Sequence, residues 1–217
     1  MPSGVISHQA PGLMLKVKYP NKFDGTALCL STVIPDLNVL VDPFMPFTFR
    51  NITHSLLGLL IYTIPLTIIL TIIFCRYIGP FIAKIAKREN VIYKPLKYYG
   101  LDEWDNLRKK TYNRRYFIVA TYSALIGGLT HLLLDLPAHE SIEIFFPIIF
   151  QSPDIFLFSI VDFGPITIGS IQIDRNLTVY GLVWISETII MFVLALYLLR
   201  YIKKRNLINK WYEEIKY

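Results

Sequence analysis

The chain has 217 residues, 53% of them hydrophobic, 18% charged, with a formal net charge of +6. One domain is the expectation at this length, and so high an apolar share argues against a soluble protein. The positive charge is no nucleic-acid signal: of 22 Lys and Arg, eleven lie between Arg76 and Arg115 and six follow Leu199, flanking apolar runs in the pattern that sets membrane topology.

The N-terminus lacks a basic region followed by an apolar core, so no cleavable signal peptide is expected. After His8 comes the patch Leu13-Met14-Leu15-Lys16-Val17-Lys18-Tyr19. It is too short to span and suits a helix at the interface, its lysines reaching out. Asp24-Gly25-Thr26 offers a cap, and Ala27–Ile34 is apolar up to Pro35-Asp36. Its shortness and terminal carboxylate favour a re-entrant or half-buried helix over a fourth crossing, which would put the N-terminus on the opposite face.

Three runs match the roughly 20 residues that a bilayer core of about 30 Å requires: 55–77, 116–134 and 177–199. Asn51-Ile52-Thr53 would cap the first, placing His54 in its first turn, and Pro65 should bend it. The loop 79–115 is rich in Lys, Arg and Tyr, and its amphipathic start, Phe81–Arg88, suits an anionic inner leaflet. The second run ends in Gly127-Gly128-Leu129-Thr130-His131-Leu132-Leu133-Leu134-Asp135. His131 and Asp135 are four apart, hence one turn apart on the same helix face. Pro137 then ends the helix, and His139 returns in a turn.

The outer loop 135–176 carries an alternating pair, Ile166-Thr167-Ile168 and Ile171-Gln172-Ile173, around Gly169-Ser170. That is the pattern of a β-hairpin with a two-residue turn. The third run holds Glu187 about ten residues in, where a carboxylate is costly and is usually paired or functional. Cys29 and Cys75 are single, distant and in apolar settings, as buried thiols are. The expected architecture is a single all-α integral membrane domain over 1–217. It has three transmembrane helices, short interfacial or re-entrant helices in 1–54, a basic cytoplasmic loop at 79–115 and a small β-hairpin in the outer loop.

With this topology the four histidines, His8, His54, His131 and His139, fall on the non-cytoplasmic face together with Asp36 and Asp135. Each has a plainer explanation alone: His8 solvated, His54 at a wet helix start, Asp36 as a cap, Asp135 paired with Arg175. Taken together they suit a shared divalent-metal site, zinc first, with manganese or iron as alternatives. Gly127 and Gly128 would let the first two spans approach closely at that depth.

In order along the chain stand Ser7-His8, Val33-Ile34-Pro35-Asp36, Thr53-His54-Ser55-Leu56-Leu57-Gly58-Leu59, Ile64-Pro65-Leu66, Gly127–Asp135 and His139. In these blocks the chain resembles a domain-of-unknown-function group of membrane proteins described as membrane-bound metal-dependent hydrolases. The resemblance implies a His/Asp metal centre at one membrane face, with hydrolysis as the activity. Two departures stand out: Thr63 occupies a position that is often acidic in similar sequences, and the last third lacks a further histidine. The functional expectation is hydrolysis of a lipid or lipid-linked (phospho)ester at the outer membrane face. His8, Asp36, His54, His131, Asp135 and His139 are the ligand candidates, and Asp36 is the candidate general base. Membrane lipid is the expected surrounding partner, and no nucleic acid is expected. The alternatives are an ion or metal transporter using Glu187 and the histidines, or a non-catalytic protein with a structural metal.

Overall fold

The computed structural model describes residues 6–44, 48–136, 141–151, 153–168 and 171–213. Three helices are long and apolar enough to cross a membrane: Leu56–Ala86, Arg114–Asp135 and Val179–Lys204. Together they suggest a multi-pass membrane protein.

The N-terminal segment folds first as a helical hairpin. Helix α1 (Gln9–Lys18) runs away from His8, and α2 (Gly25–Ser31) returns. Asp24 starts the return leg as its N-cap, Oδ1 accepting from the Ala27 N–H at 2.9 Å. A 3-10 segment, Ile34–Leu40, follows with Pro35 in its first turn, where a missing N–H costs nothing.

Short helix α3 (Arg50–Thr53) precedes the first spanning helix, α4 (Leu56–Ala86). The expected cap at Asn51–Thr53 is corrected here. Those residues belong to α3, and Ser55 caps α4 instead, its Oγ accepting from the Gly58 N–H at 3.0 Å. His54 therefore sits in the break between two helices rather than in a first turn. A Cβ at Gly58 would lie 1.9 Å from the Ile52 carbonyl oxygen, so this tight break requires glycine.

Helix α4 is 31 residues long and runs well past the expected end at Tyr77, absorbing the amphipathic piece of the basic loop. It widens into π-turns at Leu59–Thr63 and Phe74–Ile78, each just ahead of a proline, Pro65 and Pro80. A proline ring crowds the carbonyl four residues back, and a local π-turn relieves that contact without breaking the helix. After α5 (Lys94–Tyr98) and a 3-10 run at Leu101–Lys109 comes the second spanning helix, α6 (Arg114–Asp135), capped by Asn113.

The segment between the second and third spanning helices forms two hairpins around a one-turn helix, α7 (Asp154–Leu157). Strands β1 (Ser141–Phe145) and β2 (Ile148–Gln151) pair antiparallel, as do β3 (Ser159–Ile168) and β4 (Ile171–Thr178). The second is the hairpin anticipated from alternation, extended by several residues in each strand; the first was not anticipated. The third spanning helix, α8 (Val179–Lys204), and α9 (Leu207–Glu213) complete the chain.

Helix α2 lies beside α6 and runs the same way. The Asp24 N–H donates to Ser123 Oγ at 2.9 Å, and His131 Nδ1 lies 2.9 Å from the Thr32 carbonyl. Gly127 allows this approach, since a Cβ there would lie 2.1 Å from Ser31 Oγ and 2.5 Å from the Leu28 carbonyl oxygen. Gly128 serves α4 in the same way, a Cβ meeting Leu59 Cδ1 at 2.2 Å. The adjacent glycines thus admit two different neighbours, where the sequence expectation had both serving the first span.

At the hairpin's far end, Lys110 from the basic loop reaches in to Asp24. Its Nζ is 2.8 Å from Oδ2 and 3.0 Å from Oδ1, and both side chains are fully buried. Burial alone would raise the Asp24 pKa, but the Lys110 ammonium outweighs it and holds the carboxyl below its ordinary value. Lys16 is buried nearby, donating to the carbonyls of Pro20 and Phe23 at 2.5 and 2.7 Å. Burial lowers its pKa to about 8.

Candidate metal centre

The fold brings four segments together at one end of the bundle. His8 stands at the start of α1, Asp36 in the 3-10 segment, His54 in the α3–α4 break, and His131 with Asp135 in the last turns of α6. One ligand atom each from Asp36, His54, His131 and Asp135 lies within 4.8 Å of the others. His54 Nε2 is 3.3 Å from Asp36 Oδ1 and 3.4 Å from Asp135 Oδ2. His131 Nε2 is 3.3 Å from Asp135 Oδ2 and 3.9 Å from Asp36 Oδ1.

The tautomers follow from the backbone. A carbonyl can only accept, so the 2.9 Å contact to Thr32 puts the proton of His131 on Nδ1. His54 Nδ1 likewise faces the Arg50 carbonyl at 3.2 Å, with Thr53 Oγ1 at 3.0 Å. In neutral rings both Nε2 atoms then present lone pairs to two carboxylates. His131 Nε2 is buried and makes no hydrogen bond. Electron-rich atoms gathered this closely, away from water, repel one another unless a cation lies among them.

The donor set fits a divalent ion. Two imidazole nitrogens and two carboxylate oxygens suit zinc, and also manganese or iron. A tetrahedron of bonds of about 2.0 Å has edges of about 3.3 Å, close to the shortest separations above. The carbonyls on both Nδ1 atoms supply the outer support that orients metal-binding histidines. Burial is the leading cause of a lowered His54 pKa, which keeps the imidazole in the lone-pair form that a metal needs.

His8 stands just outside this group, Nε2 3.7 Å from Asp135 Oδ1 and its ring centroid 4.7 Å from that of His131. Burial, then the proximity of His131, lowers its pKa. His139, the remaining ligand candidate, lies outside the described residues. Glu187 of α8 is not in the four-residue group; it shares a small cavity of about 10 Å³ with Ser7, His8, Trp184 and Thr188. Thr63 is fully buried in the first π-turn of α4, beside Gly128. The roles of Thr32 and Arg50 were not legible from sequence, because their backbone carbonyls act and any residue type supplies one.

Neither the curated proteins nor the solved structures contain a match to this chain. A family model does match, over residues 1–205, which takes in every element that builds the centre. The chain therefore belongs to the family described as Domain of unknown function (DUF4184).

Proposed function

We propose that this protein is a membrane-embedded metal-dependent hydrolase acting on a lipid or lipid-linked (phospho)ester. The observation that supports the reading is the convergence of two imidazole nitrogens and two carboxylates from distant segments within 4.8 Å of one another. His54, His131, Asp135 and Asp36 would hold the ion, with His8 and His139 as further ligand candidates. What such an ion supplies when bound is acidification of a water to a pKa of about 7 and polarisation of a phosphoryl or acyl oxygen.

Asp36 takes the part of general base. Its side chain keeps 20% exposure while Asp135 keeps 3%, so it is the carboxylate that can reach a water at the edge of the site. The same 3-10 segment exposes Val39 and Leu40, with Phe44 just beyond. An apolar rim beside the acid favours a substrate presented from lipid. By the distribution of Lys and Arg, the centre belongs to the non-cytoplasmic face of the cell membrane.

A structural metal is the second reading, favoured by the full burial of His131 and near-full burial of Asp135. Metal analysis of detergent-purified protein, with a screen of lipid phosphoesters and esters, separates the two. Hydrolysis that EDTA abolishes and Asp36→Asn suppresses supports the enzyme. Bound metal without turnover supports the structural role, and metal-free protein overturns both.

A further inference from the structure

Away from the metal centre, a cavity of about 540 Å³ lies between α4 and α8, walled by Phe74 and Ile82 on one side and Leu196 and Leu199 on the other. The α1–α2 hairpin contributes Leu13 and Leu30 to its wall, and at the basic end it is closed by Trp104 and Trp211. Its volume is that of a lipid- or drug-sized pocket. The wall is overwhelmingly carbon, so it is not a site for water. Among the described residues that line it, the one buried cation, Lys16, spends its ammonium on the carbonyls of Pro20 and Phe23 and on the Trp211 ring.

The charge at the basic end divides into two kinds. Lys203 is taken up by Asp102 and Glu103, and Lys87 by Asp105. Lys94 and Lys97, by contrast, bracket the lining residues Pro95 and Leu96, and Lys210 adjoins Trp211. All three are exposed, and no described acid pairs with them. An apolar slot between membrane helices, with ammonium groups that no described acid pairs next in sequence to its lining residues at one end, has the charge pattern of an anionic amphiphile's site.

We propose that this cavity holds a hydrocarbon chain of an anionic membrane lipid, whose headgroup lies on Lys94, Lys97 and Lys210. The site is separate from the metal centre and does not depend on its chemistry. Bound there, the lipid would fill the gap between the first and third spanning helices and tie both to the hairpin.

The test uses Trp104 and Trp211 as reporters in full-length Trp184→Phe protein in mild detergent, titrated with brominated phosphatidylglycerol or brominated phosphatidylcholine. Saturable quenching by phosphatidylglycerol at concentrations about tenfold lower than by phosphatidylcholine is expected. The triple reversal Lys94→Glu, Lys97→Glu, Lys210→Glu should abolish that preference. Leu196→Phe with Leu199→Phe, which narrows the cavity, should weaken quenching by both lipids. Equal quenching by the two lipids, a preference that survives the triple reversal, or quenching unchanged in the narrowed cavity would each overturn the proposal. Native mass spectra of the unmutated protein give a readout independent of any variant's folding. They should retain phosphatidylglycerol over phosphatidylcholine, and retention of neither lipid counts against the site.

Discussion

Replacing Lys110 by methionine removes the ammonium that neutralises Asp24 where both side chains are fully buried. The stranded carboxylate keeps its bond from the Ala27 N–H but loses two contacts of 2.8 and 3.0 Å. Breaking a buried pair from one side costs about 3–5 kcal/mol. For a chain of this size each kcal/mol moves Tm by about 2–4 °C, so Lys110→Met should melt about 6–20 °C lower. Asp24→Asn strands the ammonium instead and should be destabilising as well. The double variant removes both members of the pair and should melt above either single variant, a non-additive cycle. Tryptophan-fluorescence melting in detergent reads all four proteins. The clamp also sets the depth of α2, which carries Thr32 and Asp36 to the metal centre, so Lys110→Met should retain less divalent metal. A Lys110→Met protein that melts within about 2 °C of the parent, or single losses that simply sum, would refute the reasoning.

Further expectations concern the centre and its supports. His131→Ala should purify folded, with its metal content measured by mass spectrometry close to zero; parent-level metal would remove His131 from the ligand set. The Asp24 carboxyl titrates below its ordinary value in the folded chain. Its stabilising contribution is therefore complete above that ordinary value and is lost as pH falls through the folded one. Between about pH 6 and pH 3, the parent should lose thermal stability faster than the Asp24→Asn, Lys110→Met double variant. Gly127→Ala forces a Cβ to within 2.5 Å of a backbone oxygen and should cost about 1–3 kcal/mol. Gly12→Ala meets only ordinary contacts at 3.5 Å, so the same melting assay should show it neutral or stabilised by up to about 1 kcal/mol.

Much of the architecture was legible because a membrane imposes a simple code. Twenty apolar residues announce a span, and the second and third spans begin and end within a few residues of expectation, with polar caps at Asn113 and Thr178. The first was harder. Its cap, Ser55, follows two other good cap residues, Asn51 and Thr53, and its end is blurred by an amphipathic stretch that continues the helix after the apolar run stops. The i, i+4 spacing of His131 and Asp135 survived intact, since helix geometry alone decides it. Lys110 was hidden for a different reason. Among eleven basic residues between Arg76 and Arg115, nothing local distinguishes the one that turns inward from those that remain in solvent. Strand β1 alternates over Ser141–Ile144 but its partner, Ile148–Gln151, does not, which hid the first hairpin, and registry between distant segments such as Thr32 against His131 depends on packing that no local window contains.

The centre draws its groups from segments far apart in order of synthesis: Thr32 and His131, which meet through one hydrogen bond, are 99 positions apart. During translation Asp36 and His54 emerge early, and neither has its later partners until the second spanning helix is complete. An ion encountered before then would find only half of a coordination sphere and would dissociate readily. Loading of a metal would therefore come after the second long helix is in place, and the nascent chain would be shielded from capturing whichever metal it meets first.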